Sequence, residues 1–124
     1  MYDHIGLKVN DLRASVRFYG ATLAALGHRL CSHDASGASF GPANAPALWL
    51  SSGKGSTGPT TGTGVHMAFD AADRAAVDRF HQDGLKAGGR DNGGPGLRTD
   101  YGPTYYAAFL LDPDGNNVEA VCTR

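Results

Sequence analysis

His4 and His66 stand 62 residues apart, which is half of the 124-residue chain. Each is followed by an alternating apolar stretch, Ile5-Gly6-Leu7-Lys8-Val9 in one case and Met67-Ala68-Phe69 in the other. Glu119 lies in a third such stretch, Asn117-Val118-Glu119-Ala120-Val121-Cys122. Two imidazoles and a carboxylate are a donor set for divalent cations. A carboxylate aimed into a pocket is costly unless it is paired or hydrogen-bonded. A cation held by all three groups removes that cost. His28, His33 and His81 have no such symmetry and are expected to be structural or surface residues.

The elements that must position these groups follow from period and punctuation. Period two predicts strands at Ile5, Leu7, Val9 and at Val65, Met67, Phe69, whose apolar faces turn away from His4 and His66. In the last stretch Val118, Ala120 and Cys122 share the packed face, so Glu119 points toward the histidines. Asn10 or Asp11 can cap a helix whose Leu12, Val16, Tyr19, Leu23 and Leu26 line one side. Gly27 stops it. A second helix is expected near Asp73 to Ala87, weakened by Gly84 and held by tertiary packing. Short strands are expected near 29–32, 38–40, 47–51, 90, 105–111 and 117–123. Asp112-Pro113-Asp114-Gly115-Asn116 is read as the hairpin turn between the last two.

The halves are therefore both β-α-β-β-β. Between Asp3–Gly27 and Val65–Gly89, 8 of 25 aligned positions are identical, including His4/His66, Asp11/Asp73, Arg17/Arg79, Phe18/Phe80 and Gly27/Gly89. A duplicated unit is the simplest reading. The predicted fold class is α+β, two βαβββ modules forming an incomplete β-barrel cup with helices outside. One domain covers 1–124, with module one at 1–52, a Gly/Ser/Thr/Pro linker at 53–63 and module two at 64–124. Gly88 to Gly102 reads as a flexible loop inside module two.

Three apparent motifs lack their context. Gly53-Lys54-Gly55-Ser56-Thr57-Gly58 spells a dinucleotide fingerprint, but Pro59 to Gly62 cannot open the helix it needs. Gly37-Ala38-Ser39-Phe40-Gly41 spells a nucleophile elbow, but Pro42 to Pro46 follow in place of a helix. Asp112 to Asn116 lacks the ligand spacing of a calcium loop. Composition excludes further classes. With 11 Lys+Arg against 12 Asp+Glu there is no basic face for nucleic acid. No apolar run approaches the ~20 residues of a membrane span. The start shows no secretory pattern, so a cytoplasmic location is expected, with Cys31 and Cys122 reduced.

Three segments, Asp3-His4-Ile5-Gly6-Leu7-Lys8-Val9, Val65-His66-Met67-Ala68-Phe69 and Phe109-Leu110-Leu111-Asp112-Pro113-Asp114-Gly115-Asn116-Asn117-Val118-Glu119, make the chain resemble the vicinal oxygen chelate superfamily. It comprises glyoxalase I, extradiol dioxygenases, fosfomycin-resistance thiol transferases, methylmalonyl-CoA epimerase and bleomycin-resistance proteins. The resemblance implies a divalent metal (Fe, Mn, Ni or Zn) on His4, His66 and Glu119, a small vicinal-oxygen substrate and a homodimer. Trp49 falls where glyoxalase I and the epimerase carry a fourth ligand. Trp49 cannot ligate, which points away from glyoxalase I lyase chemistry and toward a three-ligand site.

In that reading Phe40 and Trp49 wall the cup and Arg90 and Arg98 meet an anionic substrate. One of Tyr101, Tyr105 or Tyr106 donates a proton, and Gly93, Gly94 and Gly96 let the glycine-rich loop act as a lid. The rival is a metal-free small-molecule or drug-binding protein of bleomycin-resistance type, with the same aromatic residues as stacking walls.

Overall fold

The computed structural model describes residues 1–53 and 64–124. The linker residues 54–63, with most of the Gly53–Gly58 motif, lie outside the described residues. Module one runs β1 (Ile5–Val9), α1 (Leu12–Ala25), β2 (Arg29–His33), β3 (Gly37–Gly41) and β4 (Leu48–Ser52). Module two runs β5 (His66–Asp70), α2 (Arg74–Lys86), β6 (Arg90–Leu97), β7 (Tyr106–Leu111) and β8 (Asn117–Cys122). The expected β-α-β-β-β order is present twice.

Each module folds into one four-stranded sheet, ordered β1-β4-β3-β2 and β5-β8-β7-β6. The first and last strands of each module pair in parallel, which the intervening helix permits; the others are antiparallel. Registers match between modules. Gly6 faces Trp49 as Ala68 faces Glu119, and Ser39 faces Trp49 as Phe109 faces Glu119. Neither sheet closes into a barrel, so an open cup results.

One face of each sheet packs on the helices. Leu7, Val9, Leu48, Leu50, Val118, Ala120 and Cys122 are all buried there, as strand parity predicts. The helices begin alike. The Asp11 and Asp73 carboxylates accept the backbone N–H groups of Ala14 and Ala76 at 3.1 and 2.7 Å. They end differently. Helix α1 has 14 residues and α2 has 13, so the left-handed stops are Gly27 (φ 89°) and Gly88 (φ 98°). The aligned partner of Gly27, Gly89, has another job.

That job is close packing. Phe18, which the apolar stripe of α1 omits, is fully buried between the helices. A Cβ at Gly89 would lie 2.5 Å from the Phe18 ring and 2.8 Å from the carbonyl oxygen of Gly84. A Cβ at Gly84 would lie 2.3 Å from Leu110 and 2.8 Å from Thr22. Gly84 therefore weakens α2 locally, by about 1 kcal/mol relative to Ala, but lets it approach α1 and β7.

The Asp112–Asn116 turn does more than reverse the chain. Asp112 is buried; its Oδ1 accepts the N–H groups of Asp114 and Asn116, and its Oδ2 accepts the Tyr19 hydroxyl at 2.6 Å. Asp114 accepts the Asn10 N–H at 3.1 Å. The turn of module two thus latches onto module one.

The stretch expected as a flexible lid is instead largely strand. Arg90–Leu97 pairs with β7 through two register shifts, at Asp91/Gly93 and Gly93/Gly96. Glycine in a strand marks bulges as readily as loops, and the pairing partner decides which.

Candidate functional site

Parity places His66, Phe109 and Glu119 on the cup face of module two. There His66 Nε2 lies 2.9 Å from Glu119 Oε2, and His66 Nδ1 lies 3.2 Å from the carbonyl oxygen of Asn117. The Glu119 side chain is almost fully buried, while that of His66 is 45% exposed and opens outward. The second carboxylate oxygen, Oε1, accepts the hydroxyl of Tyr105. Burial, then the hydrogen bond and charge of Glu119, push the Tyr105 hydroxyl up to about 12, so it keeps its proton at neutral pH.

Both nitrogens of His66 face oxygen acceptors. A neutral imidazole has one N–H. In the tautomer whose Nδ1–H donates to Asn117, the Nε2 lone pair points at the carboxylate and a divalent ion fits between them; in the other tautomer Nε2–H donates to Glu119 directly. His66 Nε2 and Glu119 Oε2 lie 2.9 Å apart, close enough for both to turn to one ion. A histidine that binds through one nitrogen and donates from the other to a carbonyl is the usual metal-ligand arrangement. The donor set therefore fits a divalent ion in kind.

His4 is not in contact with this pair. Its Nδ1 donates to Asp3 at 2.7 Å, leaving Nε2 as the open nitrogen. His4 and His66 line one cavity of about 370 Å³ between β1 and β5, walled by Leu23, Phe40, Leu48 and Phe69. Among the described residues no three His, Cys, Asp or Glu side chains converge on one point.

The remaining candidates separate. Phe40 is buried against α1 and reaches the His4/His66 cavity from beneath. Trp49, 42% exposed, lines a different cavity of about 430 Å³ with Arg29, Leu30, Ser32 and Ser39. Tyr101 is exposed and meets Tyr105 edge-on at 5.3 Å. Tyr106 is placed on the opposite sheet face from Glu119, where its hydroxyl donates to Asp78 of α2 at 2.6 Å and Arg74 covers its ring. Arg90 is exposed at the start of β6. Arg98 reaches the cup face, 5.5 Å over the Phe109 ring, and that ring stacks on His66 at 6.3 Å.

The candidates expected from the sequence do not include Phe109. Its parity with Glu119 across the hairpin could have found it. His81, expected to be a surface or structural residue, binds Asp91 of β6 at 2.9 Å.

Two open βαβββ sheets with a histidine and a glutamate on one cup face define the class. The chain belongs to the Glyoxalase/Bleomycin resistance protein/Dioxygenase superfamily, which it matches over residues 2–120. It is similar to a glyoxalase/bleomycin resistance protein from Albidiferax ferrireducens T118, at 31% identity over 98% of this chain and 97% of that one, with a TM-score of 0.79. A Bacillus halodurans protein is 28% identical over 98% of this chain and 94% of its own, with a TM-score of 0.73. Glyoxalase I from Zea mays shares the fold, with 24% identity and a TM-score of 0.70, over 97% of this chain and 43% of that one. No functionally curated protein matches the chain. Among the described residues no helix is long and apolar enough to cross a membrane.

Proposed function

We propose that the protein is a metal-dependent enzyme acting on a small substrate that chelates through two neighbouring oxygens. His4, His66 and Glu119 hold the divalent ion. The single observation that carries this reading is His66 set between the Asn117 carbonyl and the Glu119 carboxylate, with both nitrogens facing acceptors. Each of the three residues has an orienting partner: Asp3 for His4, Asn117 for His66 and Tyr105 for Glu119.

A bound divalent ion supplies Lewis-acid stabilisation of negative charge on a substrate oxygen. The chain's own residues do the rest. Glu119, shielded from water, keeps one oxygen on Tyr105 and turns the other to the cation position. Tyr105 retains its proton and fixes the carboxylate. Trp49, in the position of a fourth ligand, leaves three donors and open coordination positions.

Elemental analysis of tag-free protein is expected to give one divalent ion per chain. His66→Ala and Glu119→Ala should lose the ion and turnover while keeping the fold. Metal retained in both variants would end the proposal. A second reading, a metal-free binding protein, is favoured by the apolar lining of the 370 Å³ cavity. Ligand affinity that survives a chelator unchanged would select it.

A further inference from the structure

Arg98 is a cation held in place with no anion beside it among the described residues. Its backbone is pinned, donating to Tyr105 O at 2.8 Å and accepting from Tyr101 N at 3.0 Å. Its Nη2 donates to the Gly94 carbonyl at 2.6 Å, and its guanidinium lies over Phe109. It enters none of the ion pairs among the described residues. Ordering a long side chain costs conformational entropy, and neither a carbonyl nor a ring face neutralises its charge.

Two glycines of β6 lie against its guanidinium. A Cβ at Gly96 would lie 3.0 Å from Nη1. One at Gly93 would lie 3.4 Å from Nη2 and 3.1 Å from the Phe109 ring. Gly93 and Gly96 thus leave room for a guanidinium laid along β6. Phe109 touches both Arg98 and His66, so the free charge stands one ring away from the His66/Glu119 pair.

We propose that Arg98 anchors an oxyanion group of the ligand, a carboxylate or a phosphonate, while the ligand's other oxygens face His66 and Glu119. This rests on the module-two cup being the substrate site. It narrows the substrate class to small anions that carry a charged group besides the chelating oxygens. Gly93 and Gly96 are then specificity-determining positions that act by seating the guanidinium.

Calorimetric titration of chelator-treated protein with benzoate and with phenylphosphonate tests the proposal without the metal. At least one should bind, more weakly as salt rises. Arg98→Gln should weaken it about tenfold or more, the loss expected for a charge-assisted pair. Arg98→Lys should keep more phosphonate than carboxylate affinity, because it cannot make the planar two-point contact. Gly96→Ala should weaken binding at an unchanged melting temperature, and it serves if Arg98→Gln misfolds. Arg13→Gln, on the exposed side of α1, controls for net charge. Failure of both anions to bind, or equal binding by Arg98→Gln, overturns the assignment. Metal content is measured separately in Arg98→Gln and His66→Ala. Loss of the metal reading would show there, while the anion titration still decides Arg98.

Discussion

The two modules share a register and differ in what they place on it. Where module two carries Glu119 beside Phe109, module one carries Trp49 beside Ser39. The first pair, with His66 and Tyr105, builds a polar cluster around a buried carboxylate. The second sets Trp49 beside a serine pair, exposed Ser32 and buried Ser39, with hydroxyls 2.6 Å apart. Backbone pairing constrains which positions face the cup; it leaves their chemistry free. A duplicated fold can therefore keep its donors in one half and give the other half to shape.

The modules also differ at their joint. Module two brings Gly84, Gly89 and the turn, and module one brings the Phe18 and Thr22 side chains that pack on those glycines. Gly27 has no atom within 4 Å of a Cβ position, whereas Gly89 is closed in by Phe18 and a carbonyl.

The sharpest way to break this asymmetry is to fill the joint. Gly89→Val should destabilise strongly, by about 3 kcal/mol, since a backbone carbonyl cannot yield. Gly53→Ala, outside the joint, should cost far less. Urea unfolding of both variants checks the contrast, and equal midpoints would refute it.

Cutting the latch comes next. Tyr19→Phe leaves one oxygen of Asp112 without its hydroxyl partner and should cost about 1–3 kcal/mol. Thermal melts should show the loss in both modules together, because the latch joins them. Biphasic melting of the wild-type protein would count against a shared core.

Trp49→Glu places a carboxylate where module two has Glu119. Trp49 is partly exposed, so stability should move by under about 1 kcal/mol. Metal affinity of the variant then reads whether the module-one cup faces the proposed ion. An unchanged affinity would place Trp49 outside its reach, consistent with its separate cavity.

The smallest effect concerns Asp114. Burial, and next the charge of Asp112, raise its carboxyl above the ordinary carboxylate range, against the Asn10 hydrogen bond that lowers it. A raised carboxyl contributes stability that is complete below its unfolded value and lost as pH rises through its folded value. At pH 7 the ionised group is therefore a liability. Asp114→Asn should gain on the wild type at pH 7, and the gain should shrink as pH falls back through the folded value toward about 4. A gain that is constant with pH would remove the charge explanation.

Much of this was legible in the residues. Alternation in β1, β5 and β8 predicted the packing of Leu7, Val9, Met67, Val118, Ala120 and Cys122, while Ile5 and Val65, expected on the same faces, are exposed where the strands begin; the aspartate caps and the Asp-Pro-Asp-Gly turn are local devices with local signatures. The contact between His66 and Glu119 follows from the same parity. Tyr105 and Tyr106 show the limit. Both were candidates as neighbours in sequence, but the pairing of β7 sends one to the cup and the other to Asp78. The glycines of β6 misled because a glycine-rich segment carries no periodic pattern, and only its partner strand showed it to be paired.

The sequence by itself determined the strand faces, the helix ends, the duplication and the donor types, because each depends on a repeat or cap only a few residues long. Tertiary structure decided the partition into two cavities, the seat of Arg98 and the uses of Gly84 and Gly89. Those depend on distances between elements remote along the chain, and packing sets such distances to a fraction of an ångström.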